Sequence, residues 1–436
     1  MTDPFLVGSL GLLAMFALIL LQVPIGIAMG VVGVVGTGFI IGFGPALSLL
    51  GTEPSSALAS EGLAVVAMFL LMGNLAHAGG LSSELYRLAY SFLGHRKGGL
   101  IFATIGACAG FGAICGSSVA TAATMVRIAL PQMLARGYSP GLAAGAIASG
   151  GTLGMIVPPS VVMILYAILT ENSIITLFLA AIIPGLLAVV FYFGAVAVAV
   201  KINPDAAPAG QRSNWSERWM VTKQNWAVML LAFAVSGGIY SGIFTVTEAA
   251  SVGATIALCL ALFRKRLNVR TFLGCLGDTA SNTGLIFVII IGASIFSYFA
   301  TLSGLPAAAV SWIEGLGLPS LVVIFCLLLF YILMGAIFDT IAAMVLTLPF
   351  VYPLIINMGY DPIWWGVVNI VVIELGMITP PIGINVFVIH AMADNLTMRQ
   401  IFKGVVPFVI GDLLRLIVLV LIPGLSLWLP RTLGWM

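Results

Sequence analysis

Charge is what this sequence has least of. Only 7% of its 436 residues are Asp, Glu, Lys or Arg, while 61% are hydrophobic; soluble domains carry about 25% charged residues. With a mean hydropathy of +1.18, that balance excludes an ordinary water-soluble domain and reads as a polytopic helical membrane protein. Histidine is scarcer still, and the 3 present, His77, His95 and His390, cannot build a multi-histidine metal site. Cys108, Cys115, Cys259, Cys275 and Cys326 fall singly, without CxxC or Cys/His spacing, which argues against a disulfide framework and against a transition metal. The formal net charge is +2 and no basic run interleaves with aromatics, so nucleic acid is not an implied partner. The N-terminus lacks a basic n-region and a small-residue cleavage site and reads as a first span, not a removed signal.

What is present is apolar sequence interrupted at unusual places. GAICGSSVAT, residues 112–121, sets a glycine, two serines and a threonine between two short apolar runs. Each run is about 16 residues, short of the roughly 20 that cross a bilayer. The pattern predicts a re-entrant hairpin over 98–134; a single helix with small residues at a packing face is the other reading. Spans are expected at 5–21, 25–42 and 62–78, with a polar loop over 43–60. An amphipathic surface segment, LSSELYRLAYSFLGHRKGG, follows the third. A span broken at GGTLGMIVPPS comes next over 141–169, then one at 174–200 and a polar linker over 201–222. The second half, 223–436, carries spans within 225–301, a second pair of short arms over 318–356 meeting at GAIFDT, a span over 363–391 broken at LGMITPPIGIN, and a last span at 402–429.

The two halves repeat. Met155-Ile156 before Val157-Pro158-Pro159 recurs as Met377-Ile378 before Thr379-Pro380-Pro381, so residue numbers differ by 377 minus 155, or 222. At that offset Ser118 meets Thr340, Pro131 meets Pro353 and Gly154 meets Gly376, the mark of an internal duplication. Placing the N-terminus outside puts Arg87, Arg96, Lys97, Arg136, Lys201, Arg212, Arg218, Lys223, Arg264, Lys265, Arg266, Arg270, Arg399 and Lys403 in interior loops. The exterior loops around Glu53, Glu171, Gly242, Glu314 and Asp361 then hold no basic residue, as the positive-inside rule requires. Both termini fall on the exterior side. The fold predicted is all-α, with two inverted repeats at 1–222 and 223–436, about ten full spans, two re-entrant hairpins and two broken helices, the signature of a secondary transporter.

Hairpin tips and helix breaks expose carbonyls at one helix end and amides at another, which suit small cations and anions respectively. Candidate sodium ligands are Gly116, Ser117, Ser118, Thr121, Thr152, Gly154, Pro158, Asp339, Thr340, Thr379, Pro380 and Gly383. Candidate substrate contacts are Ser118, Pro159, Ser160, Asn385 and Arg127. Helix capping alone also accounts for serine, threonine and aspartate at these places. Asp339 is the formal anion at a tip and needs a cation or a proton; sodium is the first candidate and a proton the second. Arg127 stands about 15 Å up the arm by helical rise, and it snorkels in the alternative to a substrate role. Asp412 and Arg415 are spaced to pair, Glu248 and Glu374 to hydrogen-bond within the scaffold, His77 and His390 to pack, and Trp364-Trp365 to sit in an aromatic belt.

The chain resembles the large membrane subunit of TRAP transporters, the tripartite ATP-independent periplasmic carriers of carboxylates. GSSVATA (116–122), PQMLARGY (131–138), GTLGMIVPPS (151–160), FDTIAAM (338–344) and LGMITPPIGIN (375–385) carry the likeness, which covers essentially the whole chain. It implies an elevator-type, sodium-coupled importer of a C4-dicarboxylate, a sialic acid or a related sugar acid in a bacterial or archaeal inner membrane, and no enzyme. It also implies two partners, a periplasmic substrate-binding protein and a small membrane subunit, expected as a separate polypeptide because the chain opens on its first span. A stand-alone carboxylate or ion antiporter of the same plan, a channel, and an intramembrane aspartyl protease using Gly277-Asp278 and Asp339 are the competing classes.

Overall fold

The computed structural model describes residues 3–210, 212–393 and 396–436. Those residues are helical almost throughout. The first half runs α1 (Pro4–Leu20), α2 (Ile25–Ile41), α3 (Phe43–Ala59), α4 (Glu61–Ala78), α5 (Leu81–Leu93), α6 (Gly99–Cys115), α7 (Ser118–Ile128), α8 (Leu130–Ala135), α9 (Pro140–Ile156), α10 (Val161–Leu169) and α11 (Ile174–Ile202). After a linker come α12 (Trp215–Gln224), α13 (Trp226–Ala232), a π-helical turn at Phe233–Gly237, α14 (Gly238–Tyr240), α15 (Val246–Phe263) and α16 (Val269–Ser303). The remainder is α17 (Leu305–Gly315), α18 (Ser320–Ile337), α19 (Thr340–Asn357), α20 (Pro362–Gly376), α21 (Ile384–Met392), α22 (Met398–Leu421) and α23 (Gly424–Thr432).

The repeat offset lays α6 on α18, α7 and α8 on α19, α9 on α20, α10 on α21 and α11 on α22. It also lays α1 on Trp226–Tyr240, α2 on α15 and α5 on α17, so the correspondence reaches well beyond the tips and breaks. Two packing groups result. The helices α1 to α4 stand with α15 and α16, chiefly through α2 on α16 and α4 on α15, while α17 leans mainly on α19. The helices α6 to α11 stand with α18 to α23, where α9 is covered by α6, α7 and α22 and α20 by α18, α19 and α22. Every residue of α9 from Leu142 to Ile156 is buried, as is every residue of α20 from Ile363 to Gly376. A helix apolar all round belongs in such a core. The linker is stitched to the base of the first hairpin, where Gly98 N donates to Ala207 O at 3.0 Å and Ser139 N to Ala206 O at 2.8 Å.

Several expectations change. Among the described residues 7 helices are long and apolar enough to cross a membrane, or 8 with the α9–α10 pair, bent by 43°, taken as one. Of the ten spans expected, those at α1, α2, Trp226–Tyr240 and α20 are shorter apolar helices, whereas both arms of the second hairpin, at 18 residues each, reach spanning length. Pro349 and Pro353 lie inside α19 without cutting it short, because neighbouring helices accommodate the freed backbone groups. The stretch expected as a polar loop is helix α3. Its hydroxyls turn back onto their own helix, Ser48 Oγ to Gly44 O at 3.2 Å, Thr52 Oγ1 to Ser48 O at 3.2 Å and Ser55 Oγ to Gly51 O at 2.7 Å, the local bonding open to such side chains inside a helix. Trp364 and Trp365 are fully buried and form no belt; Trp364 stacks on Tyr360 at 4.9 Å and donates Nε1–H to Leu419 O at 3.0 Å.

Candidate functional site: two hairpin tips and two helix breaks

The first tip turns at Gly116, whose φ is +64°. That is the left-handed region, which a side chain resists. Ser117 then caps α7, its Oγ accepting from Ala120 N at 3.4 Å, and its carbonyl accepts from Thr121 Oγ1 at 2.7 Å. Serine is favoured there because its hydroxyl satisfies an otherwise orphaned amide. This tip sits on the break of its own half: a Cβ on Gly154 would stand 2.9 Å from Thr121 Oγ1 and 3.0 Å from Ser117 O. Farther up the arm, a Cβ on Gly112 would strike the Gly154 backbone. Pro158, Pro159 and Ser160 are buried, and Ser160 caps α10 by accepting from Met163 N at 3.5 Å.

The second tip is built the same way with different chemistry. Asp339 caps α19, accepting from Ile341 N at 3.2 Å, while the buried Thr340 donates to Met377 Sδ at 2.8 Å. Gly335 meets the α20 backbone at Ile373 O, and a Cβ on Gly376 would lie 2.7 Å from Gly335 Cα. Gly383 N closes the break onto Ala336 O at 3.1 Å. Thr379 is half-buried and donates to Gly376 O at 3.0 Å, and Pro380 is exposed.

At the site itself, Asn385 joins the second break to the first tip. Asn385, fully buried on α21, donates through Nδ2 to Ser118 Oγ at 2.6 Å and to Ala148 O at 3.2 Å, so the break of the second half holds the tip of the first. Ser117, Ser118, Thr121, Gly154 and Asn385 are thus brought together, as are Asp339, Thr340 and Gly383. Arg127 is exposed on α7 and stays apart from both. The Thr152 hydroxyl is already engaged, donating to Ser149 O at 2.7 Å and standing 2.9 Å from Tyr192 OH.

Tyr192 is the residue that sequence reasoning missed. Its hydroxyl donates to Asp412 Oδ2 at 2.5 Å, and Asp412 pairs with Arg415 at 2.9 Å as its spacing predicts. A lone tyrosine inside the apolar run of α11 was the available signal, since a buried phenol finds a partner. Glu374 departs from its expected scaffold hydrogen bond: neither oxygen has a partner among the described residues. Glu248 instead makes a capping box with Thr245, its backbone N–H donating to Thr245 Oγ1 at 3.2 Å, so two orphan donors are satisfied reciprocally. His77 packs near Phe111, with ring centroids 6.2 Å apart, and Asp278, one of the aspartates of the protease reading, is exposed on α16.

Two interrupted helices, each seated on a hairpin tip and bridged by a buried amide, are the arrangement of a secondary membrane transporter. Residues 12–425 match the family model described as "Tripartite ATP-independent periplasmic transporter, DctM component", and the chain belongs to that family. It is 33% identical to the C4-dicarboxylate TRAP transporter large permease protein DctM of Pseudomonas aeruginosa, over 85% of this chain and 87% of that protein. It is 28% identical to the sialic acid TRAP transporter large permease protein SiaM of Vibrio cholerae, over 85% of this chain and 86% of that one. Among solved structures, the YdaH transporter of Alcanivorax borkumensis superposes with a TM-score of 0.62 at 16% identity, covering 87% of this chain and 89% of that one, which shows a shared fold.

Proposed function

We propose that this subunit carries a carboxylate inward across the cytoplasmic membrane, driven by sodium, with a small membrane subunit and a periplasmic binding protein as partners and both termini on the periplasmic side. The observation that carries the reading is the Asn385 bond to Ser118, which makes one buried unit of elements from both halves. The substrate class rests on relatives named for C4-dicarboxylates and sialic acid. In this reading Ser118 and the carbonyls of Gly116 and Ser117 at one tip, and Asp339, Thr379 and the carbonyl of Thr340 at the other, supply oxygens to sodium, since the Ser117 and Thr340 hydroxyls are already engaged. Asp339 is half-buried with a cap bond to one oxygen, and a carboxylate at membrane depth calls for a cation. Thr152 serves the buried network around Asp412 instead.

The two inverted repeats, 1–222 and 223–436, would contribute to both packing groups, so that α6 to α11 with α18 to α23 move as an elevator against the rest. A cavity of about 510 Å³ with a mixed lining at the boundary of the groups supports this division; Ser294, Ser297 and Thr301 of α16 and Tyr352 of α19 are among its lining residues. The test is uptake of labelled succinate and sialic acid into proteoliposomes holding this chain and its small subunit. Uptake that requires binding protein and an inward sodium gradient, and is lost in Ser118→Ala and Asp339→Ala without loss of folded protein, is the expected result. Sodium-independent uptake by this chain alone would instead make it a stand-alone antiporter.

A further inference from the structure

Thr152 and Glu374 hold the same place in the two halves, on α9 and α20. Both belong to one buried cluster on α22. Thr152 reaches it through Tyr192, whose hydroxyl donates to Asp412 Oδ2 at 2.5 Å. Glu374 lies on α20, which packs on α22, near enough to Arg415 and Asp412 to feel both charges. Exposure is 1% for Glu374, 1% for Asp412 and 0% for Arg415, so the three charged groups share one buried interior.

The charges do not balance. Asp412 is compensated by Arg415 at 2.9 Å and by the Tyr192 hydroxyl. Glu374 has no ion pair and no hydrogen bond to either oxygen among the described residues, and Nε and Nη1 of Arg415 are also unpartnered. One guanidinium against two ionised carboxylates would leave a net negative charge at membrane depth, which burial penalises heavily. Among the described residues, the other helices packed on α20 bring no buried cation to offset it, and Lys201 of α11 is exposed. Tyr331 of α18 is 2.6 Å from Thr347 Oγ1, Tyr166 of α10 donates to Pro362 O, and Tyr352 of α19 is within 3.3 Å of Asn172 Nδ2. Arg431 of α23 is exposed, and α9 brings only Thr152 to this level.

We propose that Glu374 is a proton-binding site of the transporter, its carboxyl holding a proton in this conformation and leaving Asp412 and Arg415 as a neutral pair. The proton exchanges with water only when the helices around α20 move, so the site gives the cycle a proton-dependent step separate from the hairpin tips. It stands whether or not sodium drives uptake.

Infrared difference spectroscopy on the full chain in lipid nanodiscs tests this without a transport assay. At neutral pH the wild-type protein is expected to show a protonated-carboxyl C=O band, slow to shift in D₂O, that Glu374→Gln removes while its melting temperature stays within a few degrees of wild type. A band unchanged in Glu374→Gln, or none at neutral pH, overturns the proposal. So does a large fall in the melting temperature of Glu374→Gln, which would mean that an ionised Glu374 had been balancing Arg415. A sodium-dependent rise in melting temperature that disappears in Glu374→Gln would assign the site to a metal cation and overturn it as well.

Discussion

The two hairpin tips share a backbone plan and differ in what surrounds them. At the first, Ser118 is fully buried under Asn385 and the proline pair of its break is buried too. At the second, Thr340 occupies the position equivalent to Ser118, but its hydroxyl donates to a methionine sulfur and the proline pair beyond Met377 is exposed. The position equivalent to Asn385, counted back by the repeat offset, is Met163, so the first break has no matching amide to reach the second tip. The duplicated frame therefore supplies two similar seats, and side-chain chemistry has closed one of them. What remains at the second is a carboxylate, Asp339, half-buried and near the exposed Ile337.

The largest effect is expected where the two seats are alike. Gly112 and Gly335 each let an arm touch the backbone of its broken helix, and a Cβ at either position collides with backbone that cannot retreat. Gly112→Val and Gly335→Val should each cost about 1–3 kcal/mol or more by overpacking, seen as loss of monodisperse protein on size exclusion and a lower melting temperature. Equal damage at both would confirm that packing is the shared part. If Gly335→Val were tolerated, the equivalence of the seats would be broken.

Next comes the bond that exists on one side only. Asn385→Leu keeps the branching and the number of side-chain heavy atoms but leaves Ser118 Oγ and Ala148 O without their donor. Each buried group left unmade costs about 1–3 kcal/mol. Uptake should fall more than tenfold, whereas Thr340→Val, at the equivalent seat, should lose only a weak contact to sulfur and a few-fold in rate. Matching losses from the two substitutions would show that the difference between the tips has no bearing on transport.

Much of this was legible in the sequence because it lay in exceptions to apolar monotony. Pro158-Pro159 and Pro380-Pro381 mark the breaks, Gly116 and Asp339 the turns, and the equal spacing of the motifs sets the repeat frame. The crossing bond was not legible, since no local pattern says that Asn385 meets Ser118, 267 residues away. Helix α3 escapes sequence reading because serine, threonine and proline signal a loop in water, whereas in an apolar surrounding their hydroxyls have only the helix backbone to bond. Trp364 and Trp365 escape it for a related reason: an aromatic pair near a helix start resembles an interfacial belt until the indole's partner, Leu419 O on a distant helix, is seen. Tyr192 and Glu374 are polar singletons in apolar runs, a signal that marks importance but names no partner.

The smallest structural effect, and the sharpest on chemistry, is expected at the caps. Ser117 and Asp339 each accept a backbone N–H at the start of a second arm, at 3.4 Å and 3.2 Å. Removing the first with Ser117→Ala should cost about 0.5–2 kcal/mol, the usual loss for a cap. Replacing the second with Asp339→Asn keeps a cap of nearly equal quality, so the melting temperature should barely move. The negative charge is gone, however, and with it the group that calls for a cation in the half-open seat. Asp339→Asn should therefore raise the sodium concentration for half-maximal uptake by tenfold or more while leaving folding intact, and Ser117→Ala should do the reverse, lowering stability with little change in sodium dependence. If Asp339→Asn instead transported with wild-type sodium dependence, the carboxylate would be only a cap, and the second tip would differ from the first in burial alone.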